Sequence, residues 1–301
     1  MASALFLVCS LLLAGYVARR LGRLPENAAE VLNRFVIDIC VPATILRLVP
    51  KMTVRPELAV LVAIPWAMAG LAYVVARAAK RVLALDRSSE TALFLATALG
   101  NTSFLGFPLC SGLLGESSLP LAAVYDQLGS FLLLGTVAPI VLAKFSAGAS
   151  PKPSELARRV LFFPPFFALL IALAIALIPL KLPAVIEPVL TAAAAPLVPL
   201  AMFAVGLKLR FTPPRPVRVF ALGLGLKLLA FPCVGWLLAR ALGAQGLVLK
   251  VAVLETAMPT MITAGALMMA YGVASELAAA FVSWGLILSL ITVPAWSVLV
   301  R

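Results

Sequence analysis

The sequence predicts an all-α polytopic membrane protein of ten transmembrane helices, built as two inverted five-helix repeats with broken crossover helices 4 and 9. Three observations lead there. The chain of 301 residues is 63% hydrophobic and only 12% charged, against about 25% charged in an ordinary soluble domain, and its mean hydropathy is +1.11. Its apolar residues fall into ten runs of spanning length. Helix-spoiling residues interrupt two of those runs at matching places in the two halves.

A span needs about 20 largely apolar residues. The runs cover roughly 2–18, 31–50, 57–80, 89–114, 119–145, 157–180, 186–208, 216–241, 247–271 and 274–300. The first is no signal peptide, because Arg19, Arg20 and Arg23 follow it and no basic residue precedes it, the reverse of signal polarity. With the N-terminus outside, one face collects Arg19, Arg20, Arg23, Arg34, Arg77, Lys80, Arg81, Arg87, Lys144, Lys152, Arg158, Arg159, Lys208, Arg210, Arg215 and Arg218. The other face has Arg47, Lys51, Arg55, Lys181, Arg240, Lys250 and Arg301. Positive residues favour the cytoplasm, so both termini lie outside a cell (inner or plasma) membrane. The formal charge of +12 therefore marks orientation and anionic lipid contact rather than a nucleic-acid partner.

The longest polar connection, Ser146 to Glu155 with Gly148, Pro151 and Pro153, divides the chain into a first repeat, 1–150, and a second, 151–301. A gapless shift of 157 residues lays Pro42 on Pro199, Pro56 on Pro213, Gly115 on Gly272 and Asn101-Thr102 on Met258-Pro259. An odd number of spans per half forces the halves to cross in opposite directions, a construction common among secondary transporters.

The fourth run contains Gly100-Asn101-Thr102-Ser103-Phe104-Leu105-Gly106-Phe107-Pro108, and the ninth contains Pro259 and Gly265. Pro108 and Pro259 each remove a backbone donor. Non-helical backbone at bilayer depth survives only where it is buried in protein or lines a cavity. One such break reads as a proline kink; a matched pair reads as a midplane binding site. Half-helix N-termini there suit an anion.

Ionisable groups at depth are functional candidates by default. Glu255 lies one turn before Pro259, Lys227 is near the middle of the eighth span, and Asp126-Gln127 in the fifth has no basic neighbour in sequence. Glu255 and Lys227 are also a candidate ion pair. Asp38 follows Arg34 at the i, i+4 spacing of an intrahelical pair and precedes Pro42 by one turn, where a further break is expected. Coupling to H⁺ through Glu255 or Asp126 is one expectation. Coupling to Na⁺ is another, with Asn101, Thr102, Thr256 and Thr260 as oxygen ligands beside Glu255. No metal centre or other cofactor is implied. With no histidine in the chain, histidine catalysis and proton relays are excluded. Cys9, Cys40, Cys110 and Cys233 form no CxxC pattern and read as small buried hydrophobes. Met258, Met261, Met268 and Met269 read as an adaptable apolar wall by the ninth-span break, and the four tryptophans as structural.

Leu32-Asn33-Arg34-Phe35-Val36 through Pro42, the Gly100-to-Pro108 run, Tyr125-Asp126-Gln127, and Ala257-Met258-Pro259 through Tyr271-Gly272 together resemble a bacterial member of the auxin efflux carrier family, over nearly the whole chain. The resemblance implies a carrier of organic anions, auxin-like carboxylates or dicarboxylates. It implies a fold like bile-acid sodium symporters and sodium/proton antiporters. Spans 1, 2, 6 and 7 would then form a scaffold and homodimer surface, and spans 3–5 and 8–10 an elevator-type moving unit. By motif, Asn101, Thr102, Pro108, Pro259 and Thr260 would lie at or beside the substrate. The chain departs from the long plant carriers in lacking a long central loop, and in carrying Met258-Pro259-Thr260 where an asparagine often follows. Rival readings are a drug/metabolite-type carrier, which keeps its termini inside, and a non-transporting ligand sensor. An intramembrane enzyme is disfavoured: no Ser-Lys or paired-Asp motif lies at depth, and no catalytic residue is assigned.

Overall fold

The computed structural model describes residues 2–22, 24–53, 55–146, 151–178, 183, 185–209, 211, 213 and 215–300. Arg23, Lys181, Arg210 and Arg301 of the charge pattern, and Gly148 of the central connection, lie outside the described residues. Helix accounts for nearly all of them, and no strand longer than a single bridge occurs among them.

The first half comprises α1 (Ala2–Arg20), α2 (Ala28–Phe35), α3 (Val41–Leu48), α4 (Leu58–Leu83), α5 (Arg87–Ala98), α6 (Phe107–Leu114), α7 (Leu119–Tyr125) and α8 (Ala138–Phe145). The second comprises α9 (Pro153–Leu161), α10 (Pro164–Leu177), α11 (Ile186–Ala194), α12 (Leu197–Lys208), α13 (Val217–Gly225), α14 (Phe231–Ala241), α15 (Gly246–Thr256), α16 (Ile262–Ala270) and α17 (Ser275–Leu299). Among the described residues, five continuous stretches are long and apolar enough to cross a membrane: Leu58–Leu83, Glu116–Phe145, Ile186–Lys208, Val217–Ala241 and Ser275–Leu299. The chain is therefore a multi-pass membrane protein. The sixth run departs from a single straight span. α9 and α10 meet at 68°, because Phe163 is held extended (φ −74°, ψ 118°) ahead of Pro164, as residues before proline are.

Proline is accommodated inside helices by widening them. Single π turns at Val36–Cys40, Thr102–Gly106, Leu133–Val137 and Leu226–Ala230 are each followed by a proline as the second residue of the next helix: Pro42, Pro108, Pro139 and Pro232. A proline ring clashes with the carbonyl four residues back, and one wide turn moves that carbonyl aside. No break therefore occurs at Pro42, contrary to expectation. A fifth π turn, Asp126–Ser130, continues α7. Trp66 Nε1–H donates to the Leu128 carbonyl at 3.0 Å, and Trp296 Nε1–H to Leu228 at 2.9 Å; both acceptors lie in π turns. Asp38, Asp126 and Lys227 also sit in π turns, which are frequent at functional sites.

α1 crosses α12 at backbone contact. A Cβ on Gly15 would collide with the Phe203 carbonyl, and one on Gly206 with that of Leu12, so only glycine permits the approach. Asp86 caps α5, accepting from Ser89 N–H at 3.2 Å. The Ser89 side chain, helped by the backbone N–H groups of Ser88 and Ser89, holds the Asp86 carboxyl below the usual carboxylate range. A depressed folded-state value contributes stability that is present above the unfolded carboxylate pKa and lost as pH falls through the folded one. Asp86→Ala is expected to cost about 1 kcal/mol, read as a lower melting temperature at pH 7. The deficit relative to wild type should shrink on acidification.

Candidate functional site

The fourth-span break falls at Leu99–Asn101, about two turns earlier than Pro108, which is seated in the first turn of α6. The ninth-span break runs from Ala257 to Met261 and contains Pro259. The two breaks cross and repair each other. Asn101 N–H donates to the Pro259 carbonyl at 2.8 Å, and Met261 N–H donates to Leu99 at 2.9 Å, pairing Gly100 with Thr260 as an isolated antiparallel bridge. The Thr260 hydroxyl donates to the Ala96 carbonyl at 3.0 Å. Two groups that lipid would leave orphaned thereby find partners inside protein. Pro259, having no N–H, contributes only the acceptor the crossing uses.

The register differs from the gapless alignment. Thr260 lies 160 positions after Gly100, not 157, which makes Met261 rather than Met258 the counterpart of Asn101, while across the bridge itself Asn101 faces Pro259. Gly115 and Gly272, both left-handed (φ 93° and 67°), keep the 157-residue shift. The first half thus holds three extra residues between crossing and glycine, alongside its π turn.

Around the crossing lies a buried polar cluster drawn from four segments. Asp126 accepts from the hydroxyls of Thr102 and of Ser103 (2.7 Å), and from Gln127 Nε2 at 2.5 Å. Glu255, fully buried, accepts from the Cys110 thiol at 3.3 Å on Oε1. A Cβ on Gly106 would collide with both Glu255 carboxylate oxygens; Gly106 and Cys110, one turn apart, form the face that receives it. The Thr256 hydroxyl donates to Ala252 at 2.7 Å, and accepts from Tyr125 at 3.0 Å. Lys227 is buried, and its Nζ stands 3.2 Å from where a Gly100 Cβ would be. Asp126 and Lys227 are the charged groups near enough to act on Glu255. Yet no ion pair within 4.0 Å joins Lys227 to Glu255 among the described residues.

Four buried side-chain atoms of this cluster have no hydrogen-bond partner among the described residues: Asn101 Oδ1 and Nδ2, Gln127 Oε1 and Glu255 Oε2. Leaving a buried polar group unmatched costs about 1–3 kcal/mol, so a concentration of them marks a place built for something else. The hydroxyl protons of Thr102 and Thr260 are by contrast already used within the protein.

Of the residues expected at a site, Asn101, Thr102, Pro108, Asp126, Gln127, Lys227, Glu255, Pro259 and Thr260 are gathered within the buried interior around the crossing. Asp38 is not. It lies on the outer face of its π turn, exposed, paired with Arg34 at 3.3 Å. Ser103 and Cys110 were missed by sequence reasoning. Cys110 was legible only as the i+4 neighbour of Gly106, which gains meaning once Glu255 is known to sit there. Cys40 and Cys110 are buried, but Cys9 and Cys233 are exposed, correcting their reading as buried hydrophobes. Met258, Met261 and Met268 are buried, and Met269 faces outward.

A polytopic helical chain whose crossing broken helices enclose unmatched polar groups belongs to the class of membrane carriers. The family model described as "Membrane transport protein" matches residues 1–297. The chain belongs to that family, the auxin efflux carriers that its motifs resemble. It is 31% identical over 296 residues to an "Uncharacterized transporter" of Methanothermobacter thermautotrophicus, covering 97% of this chain and 95% of the relative. It is 28% identical to an uncharacterized transporter of Methanocaldococcus jannaschii, covering 84% of each. A "Putative malonate transporter" of Rhizobium meliloti is 26% identical over 97% of this chain and 93% of its own.

Proposed function

We propose that this protein is a secondary carrier of small organic anions, dicarboxylate or auxin-like, working by elevator-type alternating access with its site at the crossing of broken helices 4 and 9. The observation that carries this reading is Asn101: a fully buried amide with both polar atoms unmatched, beside a buried lysine that makes no close ion pair. A carboxylate would accept from Asn101 Nδ2 and offset the Lys227 charge. Oδ1 remains for a donor on the substrate or for Na⁺. The relative designated for malonate favours a dicarboxylate among the organic anions.

Counting each broken or bent pair as one crossing gives ten spans. The packing supports the inverted repeat. α1 lies on α12 as α10 lies on α3; α13 lies on α5 as α15 lies on α4; α4 lies on α5 as α14 lies on α15. Each pairing maps onto its partner when the halves are exchanged. A homodimer through spans 1, 2, 6 and 7, and both termini outside an inner or plasma membrane, belong to the same reading.

A thermal-shift screen of carboxylates on purified protein, with and without sodium, tests it. At least one dicarboxylate should raise the melting temperature of wild type and not of Asn101→Ala. A ligand that shifts both equally removes the crossing from the site. Glu255, whose free Oε2 adjoins the crossing, is assigned to coupling. In liposomes Glu255→Gln should transport with a flattened pH dependence, and an unchanged pH profile sinks that assignment.

A further inference from the structure

At the basic-rich face, the end of α4, the start of α5 and the end of α8 surround a cavity of about 250 Å³. Arg77, Lys80, Arg87 and Lys144 contribute four positive charges, against the single carboxylate of Glu90. Arg77 and Lys80 both bind that carboxylate, at 2.9 and 2.5 Å. Arg87 spends one N–H on the Lys144 carbonyl at 2.6 Å and lies over the Phe145 ring. The Lys144 ammonium makes no ion pair among the described residues. The pocket therefore keeps a strong positive excess inside walls of Tyr73, Phe94, Val141 and Phe145.

A second cavity occupies the corresponding place in the other half, at the opposite face. It lies between the end of α14, the start of α15 and the end of α17, with a volume of about 660 Å³. There Arg240 lies 5.4 Å from the Trp236 ring centroid, and Lys250 completes a basic pair. The spacing repeats: Tyr73 precedes Arg77 by four residues, as Trp236 precedes Arg240, and a second basic residue follows ten positions later, Arg87 or Lys250. No acidic side chain lines this second pocket among the described residues.

We propose that both cavities are binding sites for the phosphate headgroup of an anionic phospholipid, one in each leaflet, clamping the ends of the segments that carry the crossing. Phosphate is recognised by Arg and Lys at fixed spacing. An aromatic ring beside one arginine of each pocket, Phe145 by Arg87 and Trp236 by Arg240, matches the headgroup level of a membrane protein. A lipid fits better than a free anion because each pocket has an exposed apolar flank along which acyl chains can run: Tyr73 and Val74 at one, Leu242 and Leu299 at the other. The first cavity falls below the size of a drug-sized site, enough for a headgroup alone. Neither pocket shares a residue with the crossing, so the sites stand whether or not the transport reading does.

Native mass spectrometry of the purified protein tests this, with phosphatidylglycerol, phosphatidylcholine and inorganic phosphate as probes. Phosphatidylglycerol should be retained in preference to phosphatidylcholine, and inorganic phosphate should not displace it. A basic residue at a membrane surface contributes roughly fivefold in affinity. Lys144→Gln and Lys250→Gln should each weaken retention by about that factor, and combined with Arg87→Gln and Arg240→Gln should abolish the preference. Lys144 and Lys250 make no hydrogen bond through their side chains among the described residues, so the paired lysine variant reads binding even if the arginine changes perturb folding. Lys152→Gln, on the central connection, should leave retention unchanged. Equal retention of both lipids, a preference that survives the lysine variants, or displacement by phosphate would each overturn the proposal.

Discussion

Asn101→Ala is expected to abolish the carboxylate response while leaving the empty protein at least as stable as wild type. The two effects have one cause. Both polar atoms of this amide are buried without partners, so the ligand-free fold already bears a desolvation cost of about 1–3 kcal/mol. Truncation removes that cost and orphans nothing, because no protein group depends on the side chain. The bridge at Gly100 and Thr260 uses the Asn101 backbone N–H, which alanine retains. A hydrogen bond to a charged ligand is worth about 1.5–3 kcal/mol, so binding should weaken roughly 10- to 150-fold. Calorimetric melting of empty protein and titration with the best dicarboxylate read the two effects separately. A lowered melting temperature together with unchanged affinity would assign Asn101 to structure alone.

Lys227→Met carries the second large effect. Removing one member of a buried charge pair costs about 2–5 kcal/mol, much of it from the charge left behind, so carboxylate affinity should fall roughly 30-fold or more. The change also strips Glu255 of the one cation among the described residues that acts on it, and the empty protein should melt lower. Adding Glu255→Gln to Lys227→Met separates the roles. The double variant should regain melting temperature, since no uncompensated carboxylate remains, and should not regain binding. Recovery of both would reduce Lys227 to a structural counter-charge for Glu255.

Much of the crossing was legible as places where apolar sequence fails: Gly100-Asn101 and Pro259 stand out because lipid tolerates no free backbone. Prolines were less informative. Pro42 and Pro108 looked like breaks, yet a π turn absorbs each, and no propensity separates a proline that ends a helix from one that widens it. The gapless alignment of the two halves did not carry over to the register of the crossing. A gapless shift set Asn101 against Met258, whereas hydrogen bonding sets it against Pro259. Asp38 and Glu255 look alike in sequence, each an acid one turn before a proline. One lies exposed beside Arg34 and the other is sealed against Gly106 and Cys110.

By itself, then, the sequence determined the class of protein, the helical architecture and the two segments that break. All three follow from the cost of putting charge and unpaired backbone into hydrocarbon, a cost each residue bears locally. Only the tertiary structure decided which polar atoms are left unmatched at Asn101, Gln127 and Glu255, and that Lys227 stands beside Gly100 without closing an ion pair. Hydrogen-bond satisfaction is a property of pairs, and the approaches that seat Lys227 beside Gly100 and Glu255 against Gly106 join residues more than 100 positions apart in the chain.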